Sequence, residues 1–372
     1  MASPELFDVA GFLSGSAAAL SPAKRLAAED FVHGRAPRYA LGRNEVTRQL
    51  ADAIALDGVV DDYCSESAWC GLPVRRGEDL PAGAIVVNTA VSIRPVSAGR
   101  RLDALSTRRW IDYAELMRLA PDTFSPPRFV AETRLAFQEH GEAFRRLYAR
   151  LADEASRQCF TDVFQYRLDA DPAHMRNYRC REDEQYFEPF LTLAAGRDFI
   201  DAGGYDGQTS VEFAARYPHY GSIQVFEPSQ ANLQRLTARL AALRDVRIHP
   251  LGLSDKAEEL CFAGSSGSAS RISEEGGERI QVDCLDNLLG ADRRAAGFIK
   301  MDLEGWELKA LAGARQTILE AHPILAIGAY HHPLDFVRIA DYVLGLRDDY
   351  HVHLRHYTEG WSETVLYFAP AT

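Results

Sequence analysis

The chain has 372 residues, more than one ordinary α/β domain needs and about right for two or three modules. Its 47% hydrophobic and 25% charged residues suit a globular protein with a sizeable core, and a net charge of −12 argues against a polyanionic nucleic-acid partner. No apolar run reaches the roughly 18 residues of a membrane span, so no membrane insertion is expected.

Residues 1–36 form an extension of weak helical character that carries acids and no basic leader pattern, so no signal peptide is read. The six cysteines show neither a C-x-x-C pair nor metal-ligand spacing, which predicts reduced thiols and a cytoplasmic setting. From Arg38 the chain alternates strand and helix: strands at Tyr39–Leu41, Ala55–Val60, Ala84–Ala90 and Trp110–Tyr113, with turn-rich segments at Gly71–Val74 and Asp79–Pro81. Residues 37–124 are therefore expected to form a small, degenerate Rossmann-like α/β domain. Its first turn keeps only Gly42, followed by Arg43 and Asn44, so a lost cofactor site is expected there. Phe129–Phe164, at helical apolar spacing behind Pro126-Pro127, predicts a helical connector over 125–185.

The segment 186–372 carries the chemistry. Tyr186-Phe187-Glu188-Pro189-Phe190 reads either as an aromatic staple or as a lid contributed by Tyr186. Phe199–Gly207 is an apolar strand ending at Asp201, a turn containing Gly203, Gly204 and Gly207, and the start of a helix at Gln208. Such a strand–turn–helix lets backbone N–H groups approach a nucleotide-like ligand. A second strand, Ile223–Phe226, ends in Glu227, placed to accept both ribose hydroxyls. Further strands at Val246–Leu251, Phe298–Asp302 and Ile324–Ala329 end near Asp255, Asp302/Glu304 and His331. Glu259–Ala263 and Arg279–Cys284 read as extended runs around a Gly/Ser stretch. A final hairpin, His351–Arg355 and Glu363–Phe368 around Thr358–Trp361, closes the parallel sheet in the manner of the S-adenosylmethionine methyltransferase fold.

Asp201–Gly207, Phe226-Glu227-Pro228, the run Ile299-Lys300-Met301-Asp302-Leu303-Glu304-Gly305-Trp306-Glu307 and Leu311–Ala314 resemble the FkbM-type methyltransferase family, over about Tyr186–Pro370. Tyr205 departs from the residue the family commonly has there. The resemblance implies a class I methyltransferase sheet, S-adenosylmethionine as cofactor, and a methyl ether on a sugar, glycan or secondary metabolite as product.

Asp201, Gly203, Gly204, Gly207, Glu227, Asp255 and Asp302 are then expected to hold the cofactor. A side chain at Gly203 would collide with it. Tyr186, Glu304, Trp306 and His332 are expected to face the acceptor. His331, with an imidazole titrating near neutral pH, is the candidate general base, assisted by Asp302. No metal is assigned, although Asp302, Glu304 and a histidine could form a ligand set. Two rival readings are a nicotinamide oxidoreductase, which needs a G-x-G-x-x-G that neither half contains, and a non-catalytic or nucleotide-sugar-binding partner protein that retains a cofactor-like site. Oligomeric state is open, with a homo-oligomer allowed.

Overall fold

Short apolar runs buried on both faces become the central strands, because a parallel sheet covered by helices leaves no polar face to the strand. The protein is described here by a computed structural model covering residues 20–105, 109–263, 271–272 and 278–371. Most of the N-terminal extension and the whole Gly/Ser stretch lie outside the described residues. Two units divide the chain. One comprises residues 1–141, 158–181 and 356–363, and the other residues 142–157, 182–355 and 364–372.

The first unit is built on a six-stranded sheet: β1 (Arg38–Leu41), β2 (Gly58–Val60), β3 (Ala68–Trp69), β4 (Leu72–Arg75), β5 (Ile85–Asn88) and β6 (Trp110–Asp112). The strand order is β3-β4-β2-β1-β5-β6, parallel except for the β3–β4 pair. β3 and β4 occupy a stretch that reads as turn-rich in sequence. β4 alternates between half-buried and exposed residues and so lacks the apolar run of a central strand. The helices expected from Phe129 onward are Arg128–Arg150, broken at His140, and Glu154–Asp169.

Sheet order reverses between β1 and β5, the place where an open α/β sheet binds its ligand. Here that place is filled by the protein. Asn44 caps the helix Glu45–Ala53 through the Thr47 N–H and donates to the Thr89 carbonyl. The Thr47 and Thr89 hydroxyls lie 2.7 Å apart and reach the carbonyls of Gly42 and Leu41.

A second internal ligand sits beside this plug. Glu359, in the 356–363 segment, is buried, and its carboxylate accepts hydrogen bonds from Ser97 N (2.7 Å) and Ser97 Oγ (2.6 Å) in the first turn of the helix Pro95–Asp103. A carboxylate thus takes the anion position that a helix N-terminus offers.

The second unit holds a seven-stranded sheet. Its strands are β7 (Asp198–Ala202), β8 (Ile223–Phe226), β9 (Val246–His249), β14 (Ala296–Met301), β15 (Ile324–Gly328), β16 (Tyr350–His356) and β17 (Thr364–Pro370). The order is β16-β17-β15-β14-β7-β8-β9, with β17 antiparallel to β15 and the strands from β15 through β9 parallel. This is the class I methyltransferase arrangement expected from the sequence. The last connection is longer than the tight turn expected, because β16 ends at His356 and β17 begins at Thr364. Between β9 and β14, β10 (Gly252–Leu253), β11 (Glu258–Ala263), β12 (Arg271–Ile272) and β13 (Glu278–Asp283) form a separate sheet in the order β10-β13-β11-β12.

An aromatic cluster fixes the centre. Phe199 of β7 stacks on Phe213 at 4.0 Å between ring centroids, and Phe298 of β14 meets both edge-on. Phe187 joins at 6.1–6.3 Å, while Phe190 stacks on His353. These two residues act as the staple, which leaves Tyr186 for the site.

Replacing Glu359 by Ala removes the buried acceptor of two Ser97 donors and should destabilise the protein by about 1–3 kcal/mol. A melting temperature equal to wild type would contradict this reading of the segment.

Candidate active site

Register brings the carboxyl ends of β7, β8 and β14 to one level: Ala202 pairs with Phe226 on one side and Met301 on the other. The residues that follow, Gly203, Glu227 and Asp302, therefore emerge side by side. Two backbone hydrogen bonds continue the ladder past the strands, Gly203 N to Phe226 O (3.0 Å) and Asp302 N to Ala202 O (3.2 Å).

The same register sets Lys300 directly beside Asp201. Both are buried, with Lys300 Nζ 3.2 Å from Asp201 Oδ1. Lys300 Nζ also donates to Gly203 O (2.7 Å) and Ala202 O (3.3 Å), and Ser210 Oγ donates to Asp201 Oδ2 (2.7 Å). Asp201 is thus committed to the ion pair and to the first turn of the helix Gln208–Arg216, under the glycine turn. Lys300 has no role in the sequence reading, although it stands in the quoted motif. A lysine inside an otherwise apolar strand was the available signal.

The glycine turn is held from both sides. Gly203 has φ +82°, and a Cβ there would lie 2.1 Å from the Asp302 carbonyl oxygen. This corrects the expectation that a side chain at Gly203 would first meet the cofactor: it meets the backbone of the neighbouring strand. A Cβ at Gly204 would lie 2.2 Å from Val225 Cγ1, and Gly207 turns at φ +84° against Leu240.

Glu227 is 5% exposed. Its Oε2 accepts from Tyr205 N (2.8 Å), and its Oε1 accepts from Ser229 N (2.9 Å) and Asn232 Nδ2 (3.2 Å). Burial raises its carboxyl above the ordinary value, while these hydrogen bonds and the charge of Lys300 oppose the rise. Oε2, with one hydrogen bond, keeps acceptor capacity for a ligand hydroxyl. The residues present therefore fit a ribose diol at this strand end.

The acceptor-side cluster forms where β14 and β15 end. Asp302 Oδ2 accepts from the Tyr186 hydroxyl (2.8 Å), and the Tyr330 hydroxyl lies 3.2 and 3.3 Å from its two oxygens. His331 Nε2 is 3.1 Å from Asp302 Oδ1 and 3.3 Å from Glu307 Oε1, and its Nδ1 is 3.5 Å from Glu304 Oε2. Glu307, buried, is itself fixed by the N–H groups of Leu303 (2.6 Å) and Gly305 (3.3 Å). Tyr186, Tyr205 and Glu304 along this edge have positive φ (75°, 48° and 55°), as do five other non-glycine residues among those described. Such conformations in bulky residues persist only where the surroundings enforce them.

Burial works against a charged imidazole at His331. The charge of Glu307 and the hydrogen bond to Asp302 outweigh it and hold His331 well above its ordinary value. Burial likewise raises Asp302, but the hydrogen bond and charge of His331, with Lys300 and Tyr186, hold its carboxyl well below the carboxylate range. The expected titration near neutral pH is thus corrected, because three carboxylates around one imidazole keep its proton in place. With Glu307 and Asp302 beside it, the ring therefore binds this proton more tightly than a free histidine does, which works against a general-base role.

Other predicted residues take different places. Asp255 is exposed and accepts from Ser254 Oγ (3.1 Å), which also receives the Trp306 indole N–H (3.2 Å). His332 receives the Leu334 N–H at Nδ1 and donates its own N–H to Asp335, so it caps the helix Asp335–Leu346. Tyr186, Asp302, Glu304 and His331 come together. Glu307 and Tyr330 complete the group and were missed: Glu307 closes the motif without standing at a strand end, and Tyr330, in the exit after the Ile324–Ala329 strand, was given no role.

Residues 201–361 match the family model of the methyltransferase FkbM domain. A crystal structure of methyltransferase FkbM from Methylobacillus flagellatus KT superposes with a TM-score of 0.71 at 23% identity, covering 94% of each chain. An rRNA methylase structure from Streptococcus thermophilus aligns over 48% of this chain and 90% of its own, at TM-score 0.32 and 15% identity. A comparison with curated proteins finds no match. Fold and match define a class I methyltransferase domain. Over residues 201–361 that domain is similar to the methyltransferase FkbM domain.

Lys300→Met should cost about 3–5 kcal/mol by leaving Asp201 buried without its counter-charge. The double substitution with Asp201→Leu should recover most of that loss in a denaturant titration. Equal stabilities of the single and double variants would remove the ion pair from this role.

Separately, Gly203→Val should destabilise the cofactor-free protein strongly, since positive φ and the Asp302 carbonyl both oppose it. An unshifted melting curve would restore the reading in which only the cofactor requires this glycine.

Proposed function

We propose that this chain transfers the methyl group of S-adenosylmethionine to a hydroxyl of a sugar, a glycan or a secondary metabolite. The observation that carries the reading is the single edge at which buried Glu227 and the Asp302 cluster emerge from adjacent strand ends. S-adenosylmethionine supplies, when bound, a methyl group already activated by its sulfonium. Glu227 binds the ribose through its carboxylate, and the turn Gly203–Gly207 presents backbone rather than side chains. Tyr186 and Tyr330 hold Asp302 so that an acceptor hydroxyl can donate to it.

Overall, a hydroxyl and the sulfonium give a methyl ether, a thioether and one proton. The residues at the exit of β14 favour oxygen over nitrogen. Asp302, Glu304 and Glu307 would stabilise an amine acceptor as its ammonium, which has no lone pair to attack with. A polyhydroxylated acceptor has no such penalty and offers many donors to acceptor-only carboxylates.

Glu227→Gln keeps the side-chain volume but puts a donor where an acceptor is needed. It should weaken S-adenosylmethionine binding by at least about tenfold, the loss of one charge-assisted hydrogen bond. Calorimetry on a variant with a normal melting curve reads this directly, and unchanged affinity would remove Glu227 from the cofactor site.

A further inference from the structure

We propose that Asp302, Glu307 and His331 form a binding site for one divalent cation of the Mn²⁺ or Mg²⁺ class, which holds the acceptor oxygen. Asp302 Oδ1, Glu307 Oε1 and His331 Nε2 all lie within 4.8 Å of one another. His331 Nε2 stands 3.1 Å from one oxygen and 3.3 Å from the other. Ligands bound to a single ion at about 2.1 Å sit about 3.0–3.4 Å apart, the spacing that His331 Nε2 has to each of the two oxygens. A single ring N–H points at only one acceptor well, whereas an ion between the three atoms serves all of them.

A second observation is independent of that spacing: a neighbouring group sits on the far side of His331 and of Asp302, as in a metal's outer shell. Glu304 Oε2 lies 3.5 Å behind His331 on the Nδ1 side, so it orients the ring with Nε2 toward the other two ligands. The Tyr186 hydroxyl holds Asp302 Oδ2 at 2.8 Å, while Oδ1 faces His331 Nε2 (3.1 Å) and the Tyr330 hydroxyl (3.2 Å). The N–H groups of Leu303 and Gly305 donate to Glu307 Oε1 itself and fix that oxygen in place.

Charge points the same way. Three carboxylates face one imidazole in a largely buried group, and even a protonated ring leaves a surplus of negative charge that a divalent cation offsets. The mixed carboxylate and imidazole set suits a hard to borderline ion rather than a thiophilic one. Binding displaces the proton from His331 Nε2 to solvent.

This inference deepens the methyltransferase reading and rests on it for the role of the ion. An acceptor hydroxyl bound to the cation loses its proton more readily. Its oxygen forms the new C–O bond as the S–C bond breaks, and the proton leaves to solvent.

The test is a calorimetric titration of the chelator-treated full chain with Mn²⁺, alongside a titration with S-adenosylhomocysteine. One Mn²⁺ per chain is expected, with nitrogen coupling to the ion in pulsed electron paramagnetic resonance. His331→Gln and Asp302→Asn should abolish uptake, and Glu304→Gln should weaken it about 10–100-fold. Circular dichroism identifies any variant that fails to fold, in which case the nitrogen coupling in the wild type decides.

No saturable uptake up to about 1 mM, the weak end for protein sites, would overturn the proposal. So would Mn²⁺ binding without nitrogen coupling. A chain that binds S-adenosylhomocysteine but not Mn²⁺ sinks this inference alone. One that binds Mn²⁺ but not S-adenosylhomocysteine supports the cation site and sinks the methyltransferase reading.

Discussion

The ion pair between Lys300 and Asp201 is the constraint on which the rest of the second unit depends. It joins β14 to β7 in the sheet centre, where both side chains are buried. Removing two charges from water costs several kcal/mol each, so the pair is tolerated only because nearby groups use its remaining capacity. Lys300 spends its other donors on the carbonyls of Ala202 and Gly203, and Asp201 takes the Ser210 hydroxyl. Strand, glycine turn and following helix are thereby locked to β14. Because Lys300 also acts electrostatically on both Glu227 and Asp302, one buried cation serves the two halves of the site.

Around that anchor the sheet edge divides its work by burial. Glu227 is enclosed by donors from Ser229 and Asn232 of its own segment and from Tyr205 of the glycine turn, and keeps one oxygen lightly used. Asp302 is held ionised by a histidine and two tyrosines. The strained backbone of Tyr186 and Glu304 sits beside the second group, where a precise side-chain position offsets an unfavourable φ. The first unit uses the same α/β logic to a different end. Its switch point is filled by Asn44, Thr47 and Thr89, and its helix N-terminus is satisfied by Glu359.

Much of this was legible in the sequence because parallel strands leave continuous apolar runs. β7, β8, β14 and β15 read directly, and with them the line of acids at their ends. β3 and β4 did not, since half-exposed short strands carry no such run. What the sequence could not convey is which charges meet. Lys300 and Asp201 are far apart in the chain, and only the β7–β14 register pairs them. Likewise His331 reads as an ordinary imidazole until Asp302, Glu304 and Glu307 are seen around it, which raise its affinity for a proton. Gly203 looked like a cofactor glycine for a similar reason, because the Asp302 carbonyl that excludes a Cβ belongs to a distant strand.

The central claim is that Glu227 and the Asp302 cluster are two ends of one site on the sheet edge. A crystal structure with S-adenosylhomocysteine tests it most directly. The account predicts the ribose hydroxyls on Glu227 Oε2 and the sulfur directed toward Asp302 and His331. A ligand bound elsewhere, or bound here with its sulfur turned away from Asp302, would contradict it.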